Sequence, residues 1–249
     1  MAMIDYDRLY ALAEQQRSAY ASAHPFPHIM MSDLVDADIL REILQLFPTP
    51  EQTENWRRLH VRSNEQDVQL AKLGLQFERE MPSLIRQLIH ELNSGPFLYF
   101  LERLSGIDNL LPDPSLQGGG LHQVLHGGLL GVHADFTRHH RYQLDRRLNL
   151  LLFLNHDWKD EYGGNLELWS RDMNHCERNI RPEFGRCVIF NTDDTSFHGH
   201  PRPLTCPDGM TRKSIALYYY SNGRDDAQVP PTTDTNWQRL PDVSLPESE

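Results

Sequence analysis

The chain has 249 residues, 39% hydrophobic and 24% charged, a profile that fits a folded protein with one substantial core. Its formal net charge of −11 argues against general affinity for nucleic acid polymers or anionic membranes, which repel an acidic protein at long range. No apolar run approaches the ~18 residues of a membrane span. The opening MAMIDYDRLYALAEQQ is acidic and polar where a signal peptide would be basic and then apolar, so a cytoplasmic location is expected.

Residues 5–21 carry apolar positions at helical spacing and predict a helix, which Pro25 and Pro27 end. Ser32-Asp33 is positioned to cap a second helix reaching about Leu46, with Leu34, Ile39, Ile43 and Leu46 on or near one face. Phe47-Pro48-Thr49-Pro50 stops it. Two more helices are predicted over 79–93 and 96–105, with Leu84, Leu88 and Leu92 at four-residue steps as a core-facing stripe. The character changes at Asp113-Pro114 and Gly118-Gly119-Gly120. Strands are predicted at 121–126, 129–134, 147–154, 165–169, 186–191 and 212–221, with turns at 157–164, 182–185 and 201–209 between them. Many short strands with frequent turns predict a β-sandwich or a double-sheet jelly roll. The expected organisation is one α+β domain over 1–249. Residues 1–112 give mainly helical support, 113–224 a jelly-roll core, and 225–249 a Pro- and Thr-rich tail on the surface. Cys176, Cys187 and Cys206 are odd in number and form no CxxC pair, so three unpaired thiols are expected.

His133-Ala134-Asp135 falls at the end of a predicted strand. Residues i and i+2 of a strand share a face, so this imidazole and this carboxylate can converge on one point. A third ligand is available at His198 or His200 in Ser196-Phe197-His198-Gly199-His200. Two histidines and one carboxylate on one face of an octahedron leave three positions open, the arrangement of non-haem Fe(II) sites. On the strand opened by Thr211-Arg212-Lys213-Ser214, Arg212 and Ser214 again share a face. A buried dicarboxylate needs a fixed planar cation, which arginine supplies better than lysine, and Ser214 can add a hydrogen bond.

Taken together, HADF, RLNLLLFLN, D-W…Y-G-G-x-L-E-L-W, F-G-R-C-V-I-F-N, S-F-H-G-H-P and T-R-K-S-I-A-L-Y-Y-Y resemble, in order over about 118–222, the prolyl-4-hydroxylase-like branch of the 2-oxoglutarate/Fe(II) oxygenases. PFPHIMMSDLVDADIL also resembles the start of such proteins. The resemblance implies a double-stranded β-helix buttressed by N-terminal helices. It implies Fe(II) on His133, Asp135 and His198, 2-oxoglutarate held through Arg212, and O2 as the oxidant. It favours His198 over His200, because the family histidine follows an apolar residue and precedes a small one. The stretch from His198 to Arg212 is longer than usual in the family. Phe153 stands where many relatives carry a co-substrate tyrosine, and Asn149, on the same strand face, is the expected replacement contact.

The expected activity is hydroxylation of an unactivated C–H bond of a small molecule, an amino acid or natural-product intermediate, with 2-oxoglutarate decarboxylated to succinate. Retention of Asp135 argues against halogenation and leaves desaturation or cyclisation as variants. Arg138-His139-His140-Arg141, followed by Arg146-Arg147, is a candidate basic rim for an acidic substrate, and His122 and His126 are further candidates for substrate contact. The alternatives are a prolyl or other residue hydroxylase acting on protein, and a non-catalytic jelly-roll binding module. A zinc hydrolase would have no use for Arg212 and Ser214.

Overall fold

The computed structural model describes residues 2–63, 65–224, 229–241 and 249. In chain order its elements are α1 (Tyr6–Ala21), β1 (His28–Met31), α2 (Ala37–Leu46), β2 (Arg57–Ser63), β3 (Gln66–Leu75), α3 (Ser83–Leu92), α4 (Gly95–Ser105), β4 (Leu111–Pro112), β5 (Gly120–Ala134), β6 (Asp145–Phe153), β7 (Leu166–Trp169), β8 (Cys176–Ile180), β9 (Cys187–Asn191), β10 (His198–His200), β11 (Arg212–Ser221) and β12 (Asn236–Trp237). Among the described residues, no helix is long and apolar enough to cross a membrane.

The strands form one curled antiparallel sheet in the order β1-β9-β6-β11-β5-β10-β7-β8, a double-stranded β-helix. β5 joins its two halves. Its first part lies between β11 and β3, and its last residues lie between β10 and β12. The sequence suggested two strands here, at 121–126 and 129–134; the structure has one, bent at Gly127-Gly128. Gly127 has φ +74°. A Cβ on Gly128 would lie 2.5 Å from Val124 Cγ1 and 2.8 Å from the Leu125 carbonyl oxygen, so only glycine lets the strand turn this tightly.

Alternation along the strands sorts side chains between two interiors. Leu148, Leu150 and Leu152 of β6, with Ile215, Leu217 and Tyr219 of β11, face outward into a large core with Ile85, Leu88 and Leu92 of α3 and Phe97, Phe100 and Leu104 of α4. The intervening residues face the barrel, where Phe153 packs with Leu166, Leu168, Val188 and Phe190. Both faces of these strands are buried, which is why they read as unbroken apolar runs.

Several local expectations change. Residues 28–31 are a strand paired with β9, and the cap of α2 is Asp36, whose side chain accepts from the Asp38 and Ile39 amides; Ser32-Asp33 is a turn with Asp33 at φ +61°. α3 starts at Ser83, after Pro82. The hairpin of β2 and β3 was not anticipated, because β2 is largely exposed and its charged residues hide the alternation.

Leu150 is fully buried between sheet and helices, and the Tyr219 hydroxyl donates to the Leu92 carbonyl at 2.8 Å. Leu150→Ala should lower unfolding stability by about 2–5 kcal/mol, and Tyr219→Phe by only about 1 kcal/mol. Urea denaturation checks the order; equal losses would mean that packing of helices on sheet is not the main cohesive term.

Candidate active site

His133 and Asp135 stand at the end of β5, and His198 opens β10. His198 pairs in register with His133, so the fold places the two rings side by side, with centroids 4.5 Å apart. Gly199 permits this approach: a Cβ there would lie 2.7 Å from the Gly131 carbonyl oxygen. His133 Nδ1 lies 2.9 Å from the Gly131 carbonyl and His198 Nδ1 lies 2.9 Å from the Ser196 carbonyl. A carbonyl can only accept, so each Nδ1 carries the proton and each Nε2 keeps its lone pair. These lone pairs face Asp135. His133 Nε2 is 3.6 Å from Oδ1 and His198 Nε2 is 3.5 Å from Oδ2. One donor atom from each of the three residues falls within 4.8 Å of the others, close enough to share a metal ion. His200 is not part of this group.

Asp135 is itself held. Asn149 Nδ2 donates to Oδ2 at 2.7 Å, and Arg146 Nη2 lies 3.0 Å from the same oxygen. Arg146 also donates twice to Asn149 Oδ1, at 3.0 and 2.7 Å, and its guanidinium lies between the rings of Phe136 and Tyr218. Burial alone would raise the Asp135 carboxyl. The Arg146 guanidinium overcomes that and holds it well below the usual carboxylate range. Burial, with His133 adjacent, pushes His198 down to about 4, so both the acid and this base are in metal-binding form at neutral pH.

His133, Asp135 and His198 line a cavity of about 190 Å³ that Arg212 and Ser214 also line. Arg212 Nε donates to the Gly164 carbonyl at 2.6 Å and its guanidinium lies over Phe153. Among the described residues, no carboxylate lies within the 4.0 Å ion-pair distance of Arg212. Burial pushes it down to about 9. A buried cation without an internal anion fits a ligand that brings a carboxylate.

The remaining expected residues fall in different places. His122 is buried and lines the cavity; burial, Lys72 and Arg212 keep it neutral. Asn149 lines the cavity too, but its amide is occupied by Asp135 and Arg146 rather than free for a co-substrate. His126 is exposed, bonds the Cys206 carbonyl and lies in a separate hollow with Arg58 and Lys213, away from the metal ligands. Arg138 pairs with Asp145 and Arg141 lies over Tyr142; of the expected basic stretch, Arg146 lines the cavity and these two do not. The tail does more than cover the surface. Residues 225–228 and 242–248 lie outside the described residues, but the segment from 229 runs along β5. Thr232 O accepts from Thr137 N and Arg138 N, and Trp237 pairs with His133 with its ring 4.8 Å from the imidazole.

Residues 119–220 match the family model of the 2OG-Fe(II) oxygenase superfamily. Over that stretch, its jelly-roll core, the chain carries the signature of that superfamily. Its cofactor is Fe(II), with 2-oxoglutarate and O2 as co-substrates. No curated protein matches it in sequence. Solved structures share the fold. A Trichoplax adhaerens prolyl hydroxylase, in complex with a hypoxia inducible factor peptide fragment, is 17% identical with a TM-score of 0.60, over 87% of this chain and 90% of that one. A Pseudomonas putida prolyl-4-hydroxylase is 15% identical with a TM-score of 0.57, over 86% and 100%. HygX from Streptomyces hygroscopicus, with nickel, 2-oxoglutarate and hygromycin B bound, is 12% identical with a TM-score of 0.53, over 90% and 97%.

In this oxygenase, sequence reasoning missed Lys72, Arg146 as a buried residue, Tyr218 and Trp237. Tyr218 was within reach, since it shares strand parity with Arg212 and Ser214. Arg146 and Lys72 were not, because each lies beside a register shift in its strand.

Asp135→Ala would strand the Arg146 guanidinium in the interior. It should cost the metal-free protein about 3–5 kcal/mol, and adding Arg146→Met should restore most of the loss. Denaturation in a chelator measures both; no loss in the single variant would mean that the pair is not coupled.

Proposed function

We propose that His133, Asp135 and His198 hold the Fe(II), that Arg212 and Ser214 receive the distal carboxylate of 2-oxoglutarate, and that the enzyme hydroxylates an unactivated C–H bond of a small molecule, an amino acid or natural-product intermediate. The iron and its co-substrate supply the oxidation, with 2-oxoglutarate decarboxylated to succinate. The chain supplies the rest. Nδ1–H bonds to carbonyls fix both imidazoles. Asn149 and Arg146 hold Asp135 ionised. Ser214 and the Arg212 fork orient a carboxylate, and Leu151 and Leu166 in the lining, with Phe153 packed against Arg212, keep the interior dry.

The observation that carries the small-molecule reading is the tail. With Asn236 and Trp237 paired to β5 beside His133, Thr235 and Trp237 become part of the cavity lining. This added wall favours a small guest over an extended peptide. The structural relatives include one solved with a peptide fragment and one solved with hygromycin B, so the fold does not choose between the classes. The three free, buried cysteines suit a reducing compartment such as the cytoplasm.

The test is succinate release with Fe(II), 2-oxoglutarate and ascorbate, across amino acids, other small acids and proline-containing peptides, with mass spectrometry of the products. Small molecules should stimulate turnover and gain one oxygen atom. Stimulation by peptides alone, with hydroxyproline formed, would replace this reading with protein hydroxylation.

A further inference from the structure

Three residues in register across adjacent strands form a row facing the cavity: Lys72 on β3, Val124 on β5 and Arg212 on β11. Paired residues on neighbouring strands point to the same face, and two strand spacings put the Lys72 and Arg212 backbones about 10 Å apart. Lys72 reaches this row through a bulge. Ala71 has φ +50°, and the pairing skips from Leu70↔Leu129 to Lys72↔Val124. Bulges near active sites commonly re-aim a side chain.

The Lys72 ammonium has no carboxylate within the 4.0 Å ion-pair distance among the described residues, and no side-chain hydrogen bond. Burial pushes it down to about 8. Among its charged neighbours, Asp135 attracts it most strongly, while Arg212 and Arg146 repel it. The nearby histidines add no charge, since burial with Lys72 and Arg212 holds His122 and His200 neutral. Arg212 and Ser214 together already suit one carboxylate. In the loaded site of the proposed enzyme, the dication and the 2-oxoglutarate dianion cancel, as do Asp135 and Arg146. Two positive charges, Arg212 and Lys72, remain inside the barrel, and an excess of this kind favours an anionic guest.

We propose that Lys72 binds a carboxylate of the substrate, so that the enzyme acts on small carboxylic acids. This rests on the reading of the site given above and names its substrate class. Lys72 comes from the hairpin that flanks the barrel, whose β2 also contributes Leu59 to the cavity lining. A cation placed there meets the substrate, while Arg212, on an inner strand, meets the co-substrate.

The experiment uses the full chain loaded anaerobically with Mn(II) and saturated with 2-oxoglutarate. Propionate and propionamide serve as probes, and paramagnetic relaxation of their protons is read by NMR. Propionate should be relaxed saturably in the wild type and propionamide should not. Lys72→Met should lower the propionate effect at least tenfold, while Lys72→Arg retains most of it. Calorimetry should show 2-oxoglutarate affinity unchanged within about twofold in Lys72→Met but lost in Arg212→Met. The proposal is overturned if the wild type gives no propionate effect, if Lys72→Met leaves it intact, if the amide works as well as the acid, or if Lys72→Met weakens 2-oxoglutarate as Arg212→Met does. Failure of the underlying reading has a different signature: 2-oxoglutarate would bind equally well to Arg212→Met and to the wild type.

Discussion

Everything in this site depends on keeping one carboxylate ionised in the interior. Asp135 is buried, and a buried carboxylate without compensation takes up a proton. The fold prevents this by bringing Arg146 and Asn149 onto Oδ2. The compensation is built in layers. Two aromatic rings hold the guanidinium, the guanidinium and an amide hold the carboxylate, and backbone carbonyls fix the imidazoles. Such outer partners orient metal ligands and set their basicity.

The arrangement also explains the shape of the barrel. β5 must run long enough to place Val124 opposite Arg212 at one end and His133 opposite His198 at the other. One strand therefore serves both halves of the sheet and bends at Gly127-Gly128. The helices cover the outer face and leave the inner face free for polar residues. Buried cations are tolerated there because they line a cavity rather than packed core. The tail then completes the wall beside His133, a use of the C-terminal segment that ties cavity shape to residues remote in sequence from the metal ligands.

How much of this the sequence disclosed follows from strand periodicity. Wherever strict alternation holds, i and i+2 arithmetic succeeds: it joins His133 to Asp135 and Arg212 to Ser214. Where a bulge intervenes, it fails. Between Tyr219 and Tyr220 the pairing of β11 with β6 shifts, so that Tyr220 meets Arg146 and not Arg147, and Arg146 turns inward. By sequence alone it belonged with Arg138 and Arg141 in a basic rim. Lys72 is hidden by the bulge at Ala71, inside a hairpin whose exposed, charged partner strand gave no strand signal. Trp237 lies in a Pro- and Thr-rich stretch whose composition suggests surface coil; its place is set by long-range pairing, to which local propensity is blind. The resemblance pointed to His198 over His200, and His198 is the one in register with His133.

The central claim is that one ion and one 2-oxoglutarate are shared by His133, Asp135, His198 and Arg212 in one cavity. Anaerobic addition of Fe(II) and then 2-oxoglutarate tests it directly by visible absorption. The wild type should develop a weak charge-transfer band; Asp135→Ala should show none, and Arg212→Ala should show none at the same 2-oxoglutarate concentration. A band of wild-type intensity in both variants, or none in the wild type, would contradict the account.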